Sequence, residues 1–227
     1  MADVVSTEAL ILRLTDTGDT HRVASLLTRE LGRLSVLARG ARQSSRRFGG
    51  QLDVLQAGQA HLGRARLGAI PGLTGFDVTR PWLGLRSALP KFAAACFFVE
   101  LAEMTTPQGD AVHSSEELDL VLDALDTLDA STEPVRRDLV LGFQLRWFRQ
   151  HGVLPTLEPT SLSIAGLPAL DDQPLAIARA LSVGVTVPEL DAVRFVAVGA
   201  LTRALRERIV GRPMQSLRFL HEALSEL

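Results

Sequence analysis

Five arginines, Arg33, Arg39, Arg42, Arg46 and Arg47, fall within fifteen residues, and no acid occurs between Glu30 and Asp53. Each guanidinium offers a planar fork of donors that matches phosphate oxygens. Duplex nucleic acid carries one phosphate charge per ~1.7 Å, so such a cluster gains affinity by counterion release, with a salt slope of about 0.9 per neutralised phosphate. Phe48 follows directly, and an aromatic ring among basic residues can stack on a base, an interaction worth about 1–3 kcal/mol. Arg22, Arg64 and Arg66 add basic positions in the same part of the chain. These nine residues are candidates for nucleic-acid contact. A second reading stays open, in which the segment is a solvated charged loop and Phe48 tucks into the interior.

The distribution of charge favours the first reading. Residues 1–90 hold 12 arginines against 7 acids, and residues 91–227 hold 12 basic residues against 19 acids, although the whole chain of 227 residues sums to only -2. Asymmetry of this kind points to contact with nucleic acid or a membrane. From Glu100 to Glu133 there are ten acids and no lysine or arginine. Paired carboxylates can bind Mg²⁺ or exchange protons. Here their spacing sets them one turn apart on the polar face of an amphipathic helix, which reads as a solvated face that repels DNA.

Other chemistry is poorly represented. The five histidines (His21, His61, His113, His151 and His221) lack a metal-like spacing with each other or with an acid. The single cysteine, Cys96, excludes an internal disulfide and a cysteine-built zinc site, and its apolar setting from Phe92 to Val99 reads as a buried thiol. Neither a G-x-x-x-x-G-K-[ST] phosphate cradle nor a G-x-S-x-G nucleophile motif occurs. The expectation is a binding protein rather than an enzyme, with no catalytic residue, metal or cofactor. The run Phe143-Gln-Leu-Arg-Trp-Phe148 supports two readings. It is either core packing or an apolar groove of Phe143 and Trp147 edged by Arg146 and Arg149, able to take an acidic, apolar-ended peptide. Met1-Ala-Asp-Val lacks a basic leader and no apolar run approaches ~18 residues, so a cytoplasmic protein without a membrane span is expected.

The elements that must carry these residues divide the chain. Apolar runs at 9–14, 21–28, 33–38, 52–62 and 67–78, with Gly-containing corners, read as five short strands, the second and third forming a hairpin. Gly40 to Gly50 is a polar loop. After Pro81 the pattern becomes helical: Leu89 to Met104; a helix opening at the capping-box spacing Ser114-Ser-Glu-Glu117; one from Pro134 to about His151; a short one from Leu175 to Leu181; Leu190 to Val210; and one after Pro213. The fold expected is α+β. A five-stranded OB-type barrel over residues 1–80 is expected to bind nucleic acid, and an all-helical domain over 81–227 to follow, with an irregular stretch at about 152–190.

Several segments in this order resemble the RecO family of bacterial recombination mediators. They are Ala9-Leu-Ile-Leu-Arg13, Thr17-Gly-Asp-Thr20, Leu27-Thr-Arg-Glu-Leu-Gly32, Ala38-Arg-Gly-Ala-Arg42 and Arg46-Arg-Phe-Gly-Gly50. Looser likeness follows at Phe143-Gln-Leu-Arg146, Gly152-Val-Leu-Pro155 and Val210-Gly-Arg-Pro-Met-Gln-Ser216 with Arg218-Phe-Leu220. The resemblance implies an N-terminal OB domain and a helical C-terminal domain. It implies a DNA repair protein of the RecF pathway that binds single- and double-stranded DNA and anneals complementary strands. It further implies that, with RecR, the protein helps load recombinase on strands coated by single-stranded-DNA-binding protein (SSB), and that it is located in the cytoplasm with the nucleoid. By position and chemistry, Phe143, Arg146, Trp147 and Arg149 are then the candidates for the SSB C-terminal tail. Many relatives carry a four-cysteine zinc module after the segment matching Gly152-Val-Leu-Pro155. This chain reads Thr156-Leu-Glu-Pro-Thr-Ser-Leu-Ser163 there, so packing alone is expected to hold the region. From the residues themselves, an OB-type RNA-binding protein and a protein-interaction adaptor with a basic loop remain alternatives.

Overall fold

Apolar runs, buried without a break at Ala9–Leu12 and Ala24–Thr28, carry the N-terminal strands into a barrel. The structure, a computed structural model, describes residues 4–43, 52–63, 70–132, 135–188 and 190–225. Five strands, β1 (Val4–Thr17), β2 (His21–Thr28), β3 (Gly32–Ala38), β4 (Ala57–Gly63) and β5 (Gly72–Arg80), close in the order β1-β2-β3-β5-β4. All pairings are antiparallel except β3 with β5, which meet in parallel at Leu37 and Gly72. This is the OB-type arrangement expected. β1 is long enough to serve two neighbours: its first half pairs with β4 and its second half with β2, with a register shift between Ile11 and Arg13. Every second residue points inward, so Ala9, Ile11, Ala24, Leu26, Val36, Ala38, Ala60, Leu62 and Phe76 fill the interior. Alanines among them let so narrow a barrel close around Phe76.

The β2–β3 hairpin turns at residues 29–31, where Thr28 donates its hydroxyl to the carbonyl of Gly32 at 2.7 Å and accepts the amide of Leu31 at 3.1 Å. Gly32 has φ +70°, and a side chain there would collide with the backbone carbonyl of Asp110. The fourth strand starts later than its apolar pattern suggests. Residues 52–56 are held instead by side-chain bonds to the backbone. Asp53 Oδ1 accepts the amide of Val54 at 2.8 Å, and Gln56 Oε1 accepts that of Asp53 at 3.0 Å. These compete with the ladder, while Leu52 and Leu55 are still buried.

A 3-10 turn (Leu83–Ser87) leads, among the described residues, into seven α-helices: α1 (Leu89–Thr105), α2 (Ser114–Ala130), α3 (Arg137–Gln150), α4 (Pro159–Ile164), α5 (Asp172–Ser182), α6 (Ala192–Ile209) and α7 (Gln215–Ser225). The chain divides into two compact units. One holds the barrel, α1 from residue 95 and α2; the other holds the first turns of α1 and α3 to α7. α1 is apolar on every face, and most of its residues are buried.

Within the first unit, α2 is bonded to the barrel. Ser114 directs its hydroxyl at the carbonyl of Arg29, 2.7 Å away, as well as at Ala111, so the Ser114–Glu117 spacing marks the helix start without forming a reciprocal cap. The acids of α2 are not simply solvated. Arg29 donates to Glu8 and to Asp119, each at 2.8 Å, Trp82 Nε1 donates to Asp126 at 2.6 Å, and the amide of Leu85 donates to Asp129 at 2.8 Å.

Within the second unit, α3 supplies the centre. Phe143, Trp147 and Phe148 are fully buried, and the rings of Phe143 and Trp147 stack at 5.7 Å. Arg206 of α6 is buried and donates to Gln144 Oε1 at 2.8 Å. The stretch expected to be irregular contains α4, an element absent from the sequence expectation. Leu157, Leu162, Leu167 and Leu170 bury themselves there, and Arg179 and Arg208 donate to the carbonyls of Leu157 and Ala165 at 2.8 and 2.7 Å.

Candidate nucleic-acid interface

Three chain connections meet at one end of the barrel, and three of the candidate arginines lie there. β3 exits beside the β1–β2 turn, because Ala38 pairs with Arg22. Beyond it the backbone turns at Gly40, whose φ of +68° suits glycine. That turn is pinned to the β1–β2 turn by two bonds. The amide of Gly40 donates to His21 Nδ1 at 3.0 Å, and the amide of Arg42 donates to the carbonyl of Thr20 at 3.2 Å. Accepting from Gly40 makes Nδ1 the unprotonated nitrogen of His21. β5 re-enters beside the same exit: Leu37 pairs with Gly72 and donates its amide to the carbonyl of Pro71 at 2.8 Å. The chain returning at Leu52 also comes here, its carbonyl accepting Arg22 Nη1 at 3.1 Å.

This end brings together Arg22, Arg39 and Arg42. Arg39 and Arg42 are exposed. Arg22 and Arg42 both face Asp16, with Arg22 Nε 3.0 Å from Oδ1 and Arg42 Nη1 3.7 Å from Oδ2. Asp16 is not among the residues singled out by the charge pattern, because it lies outside the acid-free window. The signal for it is hairpin register: Asp16 and Arg22 flank the Thr17-Gly-Asp-Thr20 turn symmetrically and pair across it.

Arg33 has different surroundings. Its side chain is 18% exposed, with Nε donating to the carbonyl of Thr106 at 2.7 Å and Nη1 lying 3.7 Å from Glu103. Its guanidinium is turned onto the end of α1. Arg46, Arg47, Phe48, Arg64 and Arg66 lie outside the described residues. The chain flanking both segments, at Gln43 and Leu52 and at Gly63 and Ile70, is described.

The second candidate group lies in the helical unit. Phe143 and Trp147 are core residues there, and Arg146 is half-buried with Nε 3.4 Å from the carbonyl of Gly142. Arg149 is exposed and borders an open groove of about 430 Å³, whose lining includes Leu154, Leu157, Glu158, Arg179 and Val183. Its lining combines apolar side chains with two cations, Arg149 and Arg179, and one carboxylate, Glu158. Among the described residues, no three or more His, Cys, Asp or Glu side chains gather in a way that could hold a metal ion. No helix among them is long and apolar enough to cross a membrane.

Comparison with known proteins bears on this geometry. Residues 1–79 match the family model described as Recombination protein O N terminal. The chain is 37% identical over 157 residues to the DNA repair protein RecO of Anaeromyxobacter sp. (strain K), an alignment covering 69% of this chain and 60% of that protein. It is 30% identical over 206 residues to the DNA repair protein RecO of Myxococcus xanthus (strain DK1622), covering 86% of this chain and 82% of that one. It is also 30% identical over 235 residues to the protein of the same name from Syntrophobacter fumaroxidans, covering 97% and 87%. The chain spans about 60% of the length of the Anaeromyxobacter relatives it matches.

Proposed function

The chain belongs to the RecO family of DNA repair proteins, and from that premise we propose that it is a DNA-binding recombination mediator whose barrel end, at Arg22, Arg39 and Arg42, takes the DNA backbone. Residues 1–80 act in this reading as the DNA-binding domain, with Arg46, Arg47, Phe48, Arg64 and Arg66 on the two connections that start and finish at the same end. The observation that carries the reading is the pinning of the Arg39–Arg42 turn onto the β1–β2 turn, which holds exposed guanidiniums on a rigid frame. Arginines so held grip phosphates of either strand and leave base edges free to pair. Annealing then needs no covalent step and no nucleotide hydrolysis. The protein works as a binder, in the cytoplasm at the nucleoid, with RecR and SSB as partners.

The open groove beside Arg149 and Arg179 suits the SSB C-terminal tail better than the buried rings of Phe143 and Trp147 do. Its cations match acidic side chains, and its apolar side chains match an apolar chain end.

The test is a titration of labelled single-stranded and duplex DNA at several salt concentrations. Replacing Arg39, Arg42, Arg46 and Arg47 by alanine is expected to reduce affinity and to flatten the salt slope by about 0.9 for each phosphate that is no longer neutralised. Unchanged affinity and slope would rule the reading out. Tighter binding of RNA than of DNA at matched length would move the assignment to an RNA-binding barrel.

A further inference from the structure

Asp16 stands between two of the arginines assigned to DNA, and its position gives it a task beyond holding a turn. Arg22 Nε lies 3.0 Å from Oδ1, and Arg42 Nη1 lies 3.7 Å from Oδ2, so each carboxylate oxygen faces one guanidinium. Both arginines are anchored by other bonds. Arg22 reaches the carbonyl of Leu52 through Nη1, and Arg42 is fixed through its own amide to Thr20. Their heads therefore converge on one anion without depending on it for the position of their stems. All three side chains are a third to a half exposed, at 32%, 44% and 52% for Arg22, Arg42 and Asp16.

A carboxylate and a phosphate diester present the same feature to a guanidinium fork, a pair of oxygens sharing negative charge. Exposed ion pairs are weak, about 0.2–1 kcal/mol, so an arriving polyanion can replace the carboxylate. We infer that Asp16 is a resident competitor for phosphate: it holds Arg22 and Arg42 convergent in the free protein and is displaced when a DNA phosphate docks between them. This rests on the reading of the barrel end as the DNA contact. Its consequence is weaker and less salt-sensitive binding than the arginine count alone would give. Each docking event leaves a bare carboxylate that recruits a cation from solution and so offsets part of the counterion release. A protein that must release strands after pairing them gains faster turnover from this arrangement.

The experiment uses the full chain and a fluorescein-labelled thymidylate oligonucleotide of about 30 nucleotides, longer than the ~4–16 that one OB fold covers. Asp16→Asn is compared with Asp19→Asn, which makes the same charge change at an exposed site on the same turn. Asp16→Ser serves as a second variant, and thermal melts establish that all are folded. Asp16→Asn and Asp16→Ser are expected to bind about fivefold more tightly near 50 mM salt, the factor corresponding to one weak ion pair. Their salt slope is expected to steepen by up to about 0.7, the value for one phosphate of a single strand. Asp19→Asn should change affinity by about twofold or less, as a screened surface charge does. In an Arg22→Ala/Arg42→Ala background, Asp16→Asn should give no more than that.

Equal effects of the Asp16 and Asp19 variants would overturn the inference while leaving the DNA-binding reading in place. Weaker binding by the Asp16 variants would overturn it as well, because Asp16 would then be a brace and not a competitor. A wild-type chain that ignores the oligonucleotide, or one indifferent to loss of Arg39 and Arg42, would overturn both.

Discussion

Arg33 donates from Nε to the main-chain carbonyl of Thr106 at 2.7 Å, across more than seventy residues of sequence. The first arginine of the basic segment is thereby fastened to the end of α1, next to the buried carboxylate of Glu103. Arg33→Ala is expected to destabilise the fold by about 1–3 kcal/mol, because a buried carbonyl loses a charged donor and a buried carboxylate loses one of its neighbouring cations. DNA affinity of the folded variant should change less than it does on Arg42→Ala. Urea denaturation and a DNA titration of the two variants check both halves of this expectation.

Gly32 and Gly109 give a paired test of backbone strain and steric exclusion. Both have positive φ, at +70° and +77°. An added methyl group at Gly109 meets nothing within 4 Å, whereas at Gly32 it strikes the carbonyl of Asp110. Gly109→Ala should therefore cost about 1–2 kcal/mol from the left-handed conformation alone. Gly32→Ala should cost about 1–3 kcal/mol more from the clash. Equal midpoints of chemical denaturation for the two variants would contradict the packing described.

Glu117 makes stability depend on pH. Burial pushes its carboxyl from the ordinary value of 4.5 up to about 7, against a smaller opposing influence from Thr106. The folded protein binds this proton more tightly than the unfolded chain does. The stability associated with it is fully present below about pH 4.5 and is lost as pH rises through about 7. The expected loss is on the order of 2 kcal/mol. Glu117→Gln should remove this component of the profile and be the more stable protein at pH 8. Thermal melts of both proteins from pH 5 to 8 measure it.

The helical unit separates recognition from packing. Arg149→Ala and Arg179→Ala remove the two cations of the groove together with their bonds to the carbonyls of Ser182 and Leu157, and should weaken an acidic, apolar-ended peptide by about tenfold together, leaving DNA binding intact. Trp147→Ala empties the centre of α3 and should cost about 3–5 kcal/mol in stability. Peptide titration by fluorescence anisotropy, alongside melts, distinguishes the two effects.

Much of this architecture is legible in the residues. Apolar runs in Ala9–Leu14, His21–Thr28 and Arg33–Ala38 report strands because each buries side chains in the barrel. Leu118, Val121, Leu122, Leu125 and Leu128 report α2 by the same logic at helical period. What escapes the sequence is pairing at a distance. Nothing local distinguishes Arg33, fixed to Thr106, from Arg42, which faces solvent beside Asp16. Nor does anything local show that Asp119 and Asp126 meet Arg29 and Trp82. The run at Leu52 and Leu55 reads as strand because both side chains are buried, yet its backbone is captured by Asp53 and Gln56. Phe143 and Trp147 share the spacing of a groove wall and of a core. Burial decides between them, and a helix pattern does not encode which side its neighbours occupy.

The two-sided pairing of β1 has a kinetic consequence. Its second half meets β2 across a short turn, and β2 meets β3 across another, so this three-stranded meander assembles from neighbours in sequence. Its first half waits for β4, pairing Val4 with Gly63, and β3 waits for β5. Closure of the barrel is therefore the late, entropically costly event, since loop closure must precede the contacts that reward it. Side chains of β4, such as Leu62, which join the barrel only on closure, should set the rate at which the barrel springs open. Those of the meander, such as Leu26, should set the rate at which it forms.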